Sequence, residues 1–348
     1  MPEIKRVLLT GATGFVGLHV YPVLQNADML TVCGSRTPQR AQERFPGRAF
    51  VQLDVASYDS AARALQSCDA AVYLVHSMAD VRRYERAEER DAKNFLRAAE
   101  RVGLKRIVYL GGIKPQGKAS RHLRSRMRTG EILRSGSVST IELQASMVIG
   151  PGSESWRMVR DLAARLPVML LPRWLDHRSQ PIYIDDVTSA IRAALPLEQV
   201  GSAAYALPGP EILSAREILA RTARLMGLSP HMYGVPVMSP RLSAYWISLV
   251  TRANEKIARQ LVEGLTTDLV AGDHSFWERF PEHRCLPFDE AARRALRAEA
   301  DTLSLRERLA EWLIHRVTPS AETARPSLTP APASQQQRSL ENVRSPAQ

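Results

Sequence analysis

The sequence predicts an α/β fold with a doubly wound parallel sheet, and three observations predict it. Short apolar runs alternate with amphipathic segments through residues 1–150. The first run ends in a turn carrying Gly11, Gly14 and Gly17. No internal repeat competes with the alternation, and strands spaced by helices return to a parallel sheet covered on both faces.

The elements follow in order. Arg6–Thr10 is an apolar run bounded by glycine, as a buried parallel strand requires. A helix is expected from Gly14 to Gln25. Met29–Gly34 reads as the second strand and Ala49–Leu53 as the third, ending at Asp54. Ser57–Leu65 is helical, Ala70–Val75 is the fourth strand, and Tyr84–Val102 has the charge and apolar periodicity of a surface helix. Arg106–Leu110 is the fifth strand, Ser120–Arg134 a helix, and Ser139–Ile149 contains a sixth strand.

After Gly150 the alternation loosens. Trp156–Arg165, Ile212–Met226, Pro236–Thr251 and Asn254–Leu265 read as helical, and Pro181–Leu195 as a short strand, an acidic cap and a helix. Asp185 and Asp186 are read as a helix cap in preference to a catalytic carboxylate pair. The expected organisation is a nucleotide-binding core over 1–150, a smaller, mostly helical substrate-side region over 151–318 that completes the fold, and a disordered tail over 319–348, where Pro326, Pro330, Pro332 and Pro346 stand among Ser, Gln and Ala.

Of 348 residues, 45% are hydrophobic, enough for a sizeable core. The net charge of +11 comes from scattered arginines without a nucleic-acid motif, so a solvated basic surface is expected and no nucleic-acid partner. Cys33, Cys68 and Cys285 form no CxxC or Cys/His pattern, so neither a disulfide framework nor a metal site is expected. No run is long and apolar enough to span a membrane, and a cytoplasmic location is expected.

A glycine turn between strand and helix is an anion site. Gly11 permits the bend, Gly14 lets backbone approach a diphosphate, and Gly17 lets the helix pack on the strand. This is the signature of a Rossmann-type dinucleotide fold. After the second strand comes Gly34-Ser35-Arg36, with no carboxylate to hold a ribose hydroxyl. Ser35 and Arg36, with Arg40 as a further cation, suit a 2′-phosphate, so NADP(H) is expected over NAD(H). Asp54 is a candidate acceptor for the adenine amino group, and Val55 lies beside it.

Thr10–Gly17 (TGATGFVG), Tyr73–Ser77 (YLVHS), Arg106–Gly112 (RIVYLGG), Val148–Ser153 (VIGPGS) and Gln180–Val187 (QPIYIDDV) together resemble the short-chain dehydrogenase/reductase superfamily. The resemblance covers residues 4–265 and is narrowest to its atypical extended branch, the NAD(P)H-binding, NmrA-like, sugar-nucleotide epimerase-like proteins. It implies that Gly11, Thr13, Gly14, Phe15, Val16 and Gly17 line the diphosphate turn. It also implies that Val75, His76 and Ser77 lie beside the cofactor ribose. Ser146–Ile149 would flank the nicotinamide, and Gly111 and Gly112 would stand where the superfamily carries a serine.

The superfamily's usual tyrosine and lysine are missing. Counting back from Glu131 places Leu123 and Met127 at their positions, and Ser120–Arg134 contains neither residue type. His122, which titrates near neutrality, is the substitute proton carrier. Arg126 can supply only charge, Lys114 and Lys118 are read as solvated, and Tyr109 and Tyr183 as core. Met147, Trp156 and Trp174 are candidate walls of an apolar pocket, with Gly111 and Gly112 leaving space inside it. The expected activity is an NADP(H)-dependent oxidoreductase acting on a small molecule, or an epimerase-like one. The alternative is a non-catalytic NADP(H) sensor or regulatory protein. A homodimer is compatible with either.

Overall fold

The computed structural model describes residues 3–76, 84–235, 250–251, 262–264, 266–272, 275–300 and 303–321. Its centre is a seven-stranded, wholly parallel sheet. β1 (Arg6–Leu9) lies between β2 (Leu30–Ser35) and β4 (Ala70–Tyr73), with β3 (Ala49–Gln52) outside β2. On the other side follow β5 (Arg106–Gly112), β6 (Ser139–Ala145) and a later strand, Ala203–Ala206. The order 3-2-1-4-5-6 reverses between β1 and β4, and the crevice at the strand C-termini there is where such sheets hold ligands.

The helices of the first half are α1 (Phe15–Gln25), α2 (Pro38–Arg44), α3 (Tyr58–Leu65), α4 (Tyr84–Arg101) and α5 (Arg121–Arg134). Two clusters fill the sheet's faces. One holds Val7, Leu9, Val20 and Leu24, the other Leu8, Leu65, Tyr73 and Phe95. Odd and even positions of β1 go to opposite clusters, as the period-two pleat dictates.

Past residue 150 the chain returns to the sheet. β7 (Val148–Ile149) pairs in parallel with β10 (Ile182–Tyr183), and α7 (Ile184–Ala194) packs on α1. β11 (Ala203–Ala206) is the seventh strand of the central sheet, which the sequence reading did not foresee. Around these sit α6 (Glu154–Arg165), β8 (Val168–Pro172), β9 (Arg178–Ser179), β12 (Leu213–Ser214), α8 (Ala215–Leu225) and β13 (His231–Val235). β8 pairs in parallel with β13 and β9 antiparallel with β12. Among the described residues of this region, short strands thus stand between the helices. α9 (Phe288–Ala300) packs on α8, and α10 (Leu305–Val317) on α6. The buried Arg160 of α6 bonds both Asp161 and Glu311 of α10. The helical expectations over 236–249 and 252–261, and the tail from 322, lie outside the described residues.

Cys33 is a core residue of β2, and burial raises its thiol to about 11. Asp185 and Asp186 are not caps in the expected sense. They occupy the first turn of α7, whose N-cap position is Tyr183. Asp186 is buried and instead accepts from His283 Nε2 at 2.9 Å and from the Leu286 N–H at 3.1 Å, which anchors the segment before α9. His283 also stacks on Trp277.

Candidate active site

The site grows from the end of β1. Gly11 has φ +60°, and a Cβ there would stand 2.8 Å from the Leu74 carbonyl oxygen. Only glycine accommodates both constraints. A Cβ on Gly17 would fall 2.3 Å from the Gly11 oxygen, so the first turn of α1 lies directly on the strand exit. Gly14 is the N-cap of α1, its own N–H bonded to the Gly11 oxygen at 2.9 Å. No side chain caps this helix and its first turn carries no acid. The amide end thus keeps its partial positive charge for an anion, and the cradle fits a dinucleotide diphosphate.

Around this turn, Ser35 and the exposed Arg36 stand at the end of β2, with the Ser35 hydroxyl accepting from the Thr37 N–H at 3.1 Å. Arg48, which no sequence motif flagged, is sandwiched between the rings of Tyr21 and Phe45 and donates to the Ala12 carbonyl at 3.2 Å. Asp54 is occupied in a local turn. Its Oδ1 accepts from the Ala56 N–H at 3.1 Å, and Val55 is buried beside it. Val75 packs on the core and His76 follows it. Ser77 lies outside the described residues.

A single cavity of about 560 Å³ joins the glycine turn to the C-terminal region. Phe15 and Val16 line it from the turn, His76 and His122 from the middle, and Met147 and Trp174 from the far side. Trp156 does not line it. It is fully buried in the sheet cluster, a correction to the expected pocket wall. Gly111 and Gly112 line it by backbone but do not open space. A Cβ on Gly112 would meet Leu123 at 2.6 Å, and one on Gly111 would meet Glu142 at 2.5 Å. Leu123, at the position counted as the tyrosine's, thus closes the spot that the glycines were expected to clear. Tyr109 and Tyr183 are core residues, and Lys114 and Lys118 are exposed and outside the cavity lining.

The structure brings His76 and His122 together although 46 positions separate them. His76 Nε2 stands 3.1 Å from His122 Nδ1, their rings edge to face. On its other side His76 Nδ1 is 2.7 Å from Glu88 Oε1, and the Ser125 hydroxyl donates to Glu88 Oε2. Glu88 is buried on α4. Burial first, then the neighbouring His76 and Arg126, pull His122 down to about 2. Burial also lowers His76, against the opposing pull of Glu88. Both rings are neutral at physiological pH. Arg126 also lines the cavity, donating one N–H to the Leu110 carbonyl and leaving its Nε without a partner.

One grouping has no sequence signature. Asp186, His283 and Cys285 each offer a ligand atom within 4.8 Å of the others. Their bonds are internal, and burial raises the Cys285 thiol to about 12, which keeps it protonated.

Residues 11–146 match the NAD(P)H-binding family model. The auxiliary protein GraX of Staphylococcus aureus is 25% identical over 150 residues, 40% of this chain and 48% of GraX, so the match spans about half of that relative. The (4-alkanoyl-5-oxo-2,5-dihydrofuran-3-yl)methyl phosphate reductase of Streptomyces griseus is 29% identical over 230 residues, 64% of this chain and 74% of that one. Among solved structures, WbmH of Bordetella bronchiseptica in complex with NAD+ superposes with a TM-score of 0.63 at 16% identity, covering 86% of this chain and 99% of that one. At that identity the likeness speaks to the fold alone. Sheet order, the glycine turn and the match over residues 11–146 together define an NAD(P)H-binding domain of Rossmann-type fold.

Proposed function

We propose that the protein is an NADP(H)-preferring oxidoreductase that interconverts a carbonyl and an alcohol, with His122 as the proton carrier. One observation carries this reading: the residues of the glycine turn and the paired neutral histidines line the same cavity. NADPH supplies the hydride when it is bound. The open N-terminus of α1 and the backbone of Gly11–Gly17 would hold its diphosphate, and Ser35 and Arg36 its 2′-phosphate.

The hydrogen bonds set the proton path. With His76 Nδ1–H donating to the Glu88 carboxylate, His76 Nε2 accepts from His122 Nδ1–H, and His122 Nε2 is left as a lone-pair nitrogen. In the oxidising direction it takes the alcohol proton. His122 then passes its Nδ1 proton to His76 Nε2, and His76 passes its own Nδ1 proton to Glu88. Both rings start and end neutral, which suits groups whose burial penalises charge. In the reducing direction the same protons run back, and the nascent alkoxide is protonated by His122 Nε2–H. The arrangement does the work of the absent tyrosine–lysine pair by general acid–base catalysis. His122→Ala tests it: carbonyl-dependent NADPH oxidation is lost while the NADPH dissociation constant holds. Unchanged turnover in that variant defeats the assignment.

A further inference from the structure

Beyond His122 the cavity becomes almost wholly apolar. On α6, Ser155, Met158, Val159 and Leu162 line it at helical spacing, so one continuous face of that helix forms a wall, and Leu166 just after the helix extends it. Met169 and Leu171 of β8 line the same space, as do Ile218 and Leu219 at the start of α8. Among the described lining residues polar groups are few, and several are held by neighbours while Trp174 Nε1 and Glu154 Oε2 have no partner. Ser153 Oγ donates to the Val148 carbonyl at 2.7 Å and also caps α6, and Glu154 is held by Arg157 at 2.9 Å. Arg126 is the one arginine or lysine in the described lining; it gives one N–H to the Leu110 carbonyl, and its Nε is without a partner. A sugar diphosphate placed here would set two negative charges against a single guanidinium, and desolvating the unmatched charge costs several kcal/mol. A hydrocarbon would gain by every methylene it hides.

We infer that the substrate is a carbonyl compound bearing a long hydrocarbon chain, the carbonyl at His122 and the chain between α6, β8 and α8. This inference rests on the cavity being the substrate site of the proposed oxidoreductase. It gives the cavity's two ends separate tasks, chemistry at the histidines and selection by chain length beyond them.

Titration calorimetry of the NADPH-saturated full chain with 1-butanol, 1-hexanol, 1-octanol and 1-decanol tests it without turnover. The dissociation constant falls roughly threefold to fourfold per added methylene until the chain fills the pouch. UDP-glucose does not compete with 1-octanol. In Leu162→Trp, and in the milder Val159→Phe, the gain stops at a shorter alcohol while butanol and NADPH bind as before. A flat or absent series, a series indifferent to both substitutions, or competition by UDP-glucose overturns the inference. Loss of the catalytic reading shows separately, as a normal alkanol series in a protein that oxidises no NADPH with any carbonyl.

Discussion

The two ends of the cavity are built in different ways. At the cofactor end the backbone is the instrument, with a left-handed Gly11, a helix seated on Gly17 and an uncapped helix start. At the end proposed for the substrate, side chains dominate: a histidine pair, a buried glutamate and an apolar wall. Backbone geometry at a turn tolerates almost no change. A side-chain-lined pouch can be retuned residue by residue. A fold can therefore keep its cofactor while its substrate drifts.

The sharpest way to break this contrast is Gly17→Val. Its side chain would enter the space of the Gly11 oxygen and the Ala12 Cα, and NADPH binding disappears from calorimetry. If the variant binds normally, backbone fit is not what governs that end. His122→Ala comes next. The turnover number drops about 10²- to 10⁴-fold, with NADPH affinity intact, and steady-state kinetics with a cofactor titration separates the two. Third, Arg36→Ala weakens NADPH binding about tenfold to a hundredfold and leaves NADH binding nearly unchanged. Equal losses for both nucleotides would remove the 2′-phosphate assignment.

The smallest expected effect is on acid stability. His76 and His122 are neutral in the fold and titrate below the usual 6.5. Above pH 6.5 folded and unfolded chains bind the same protons there, and nothing is gained or lost. Below it the unfolded chain takes up protons that the fold refuses, so stability declines from about pH 6.5 down toward pH 2. One such histidine costs about 2 kcal/mol at pH 5. His122→Gln therefore loses less of its melting temperature between pH 8 and pH 5 than the parent does, as scanning calorimetry reads it.

The contrast also explains what the sequence could disclose. The turn was legible because its glycines fall close together and each has a steric reason. Strands β1 to β6 were legible from apolar runs. β11 was not, because Ala203–Ala206 is mostly alanine, and its strand state is imposed by pairing with β6. His122 stood out only because a tyrosine was missing nearby. Glu88, the partner of His76, gave no signal, since a glutamate on a charged helix looks solvated until the fold buries it. Trp156 was misplaced for a related reason: periodicity tells which face of a helix is apolar, but not which of two apolar spaces it fills.

The ion pair between Arg160 and Glu311 has a consequence for the far end of the chain. It rivets the last described helix to the back of α6, the element whose front forms the pouch wall. Anything that pulls on the C-terminus, whether a fused tag, a docked protein or a proteolytic cut, is thereby felt at the apolar wall of the cavity.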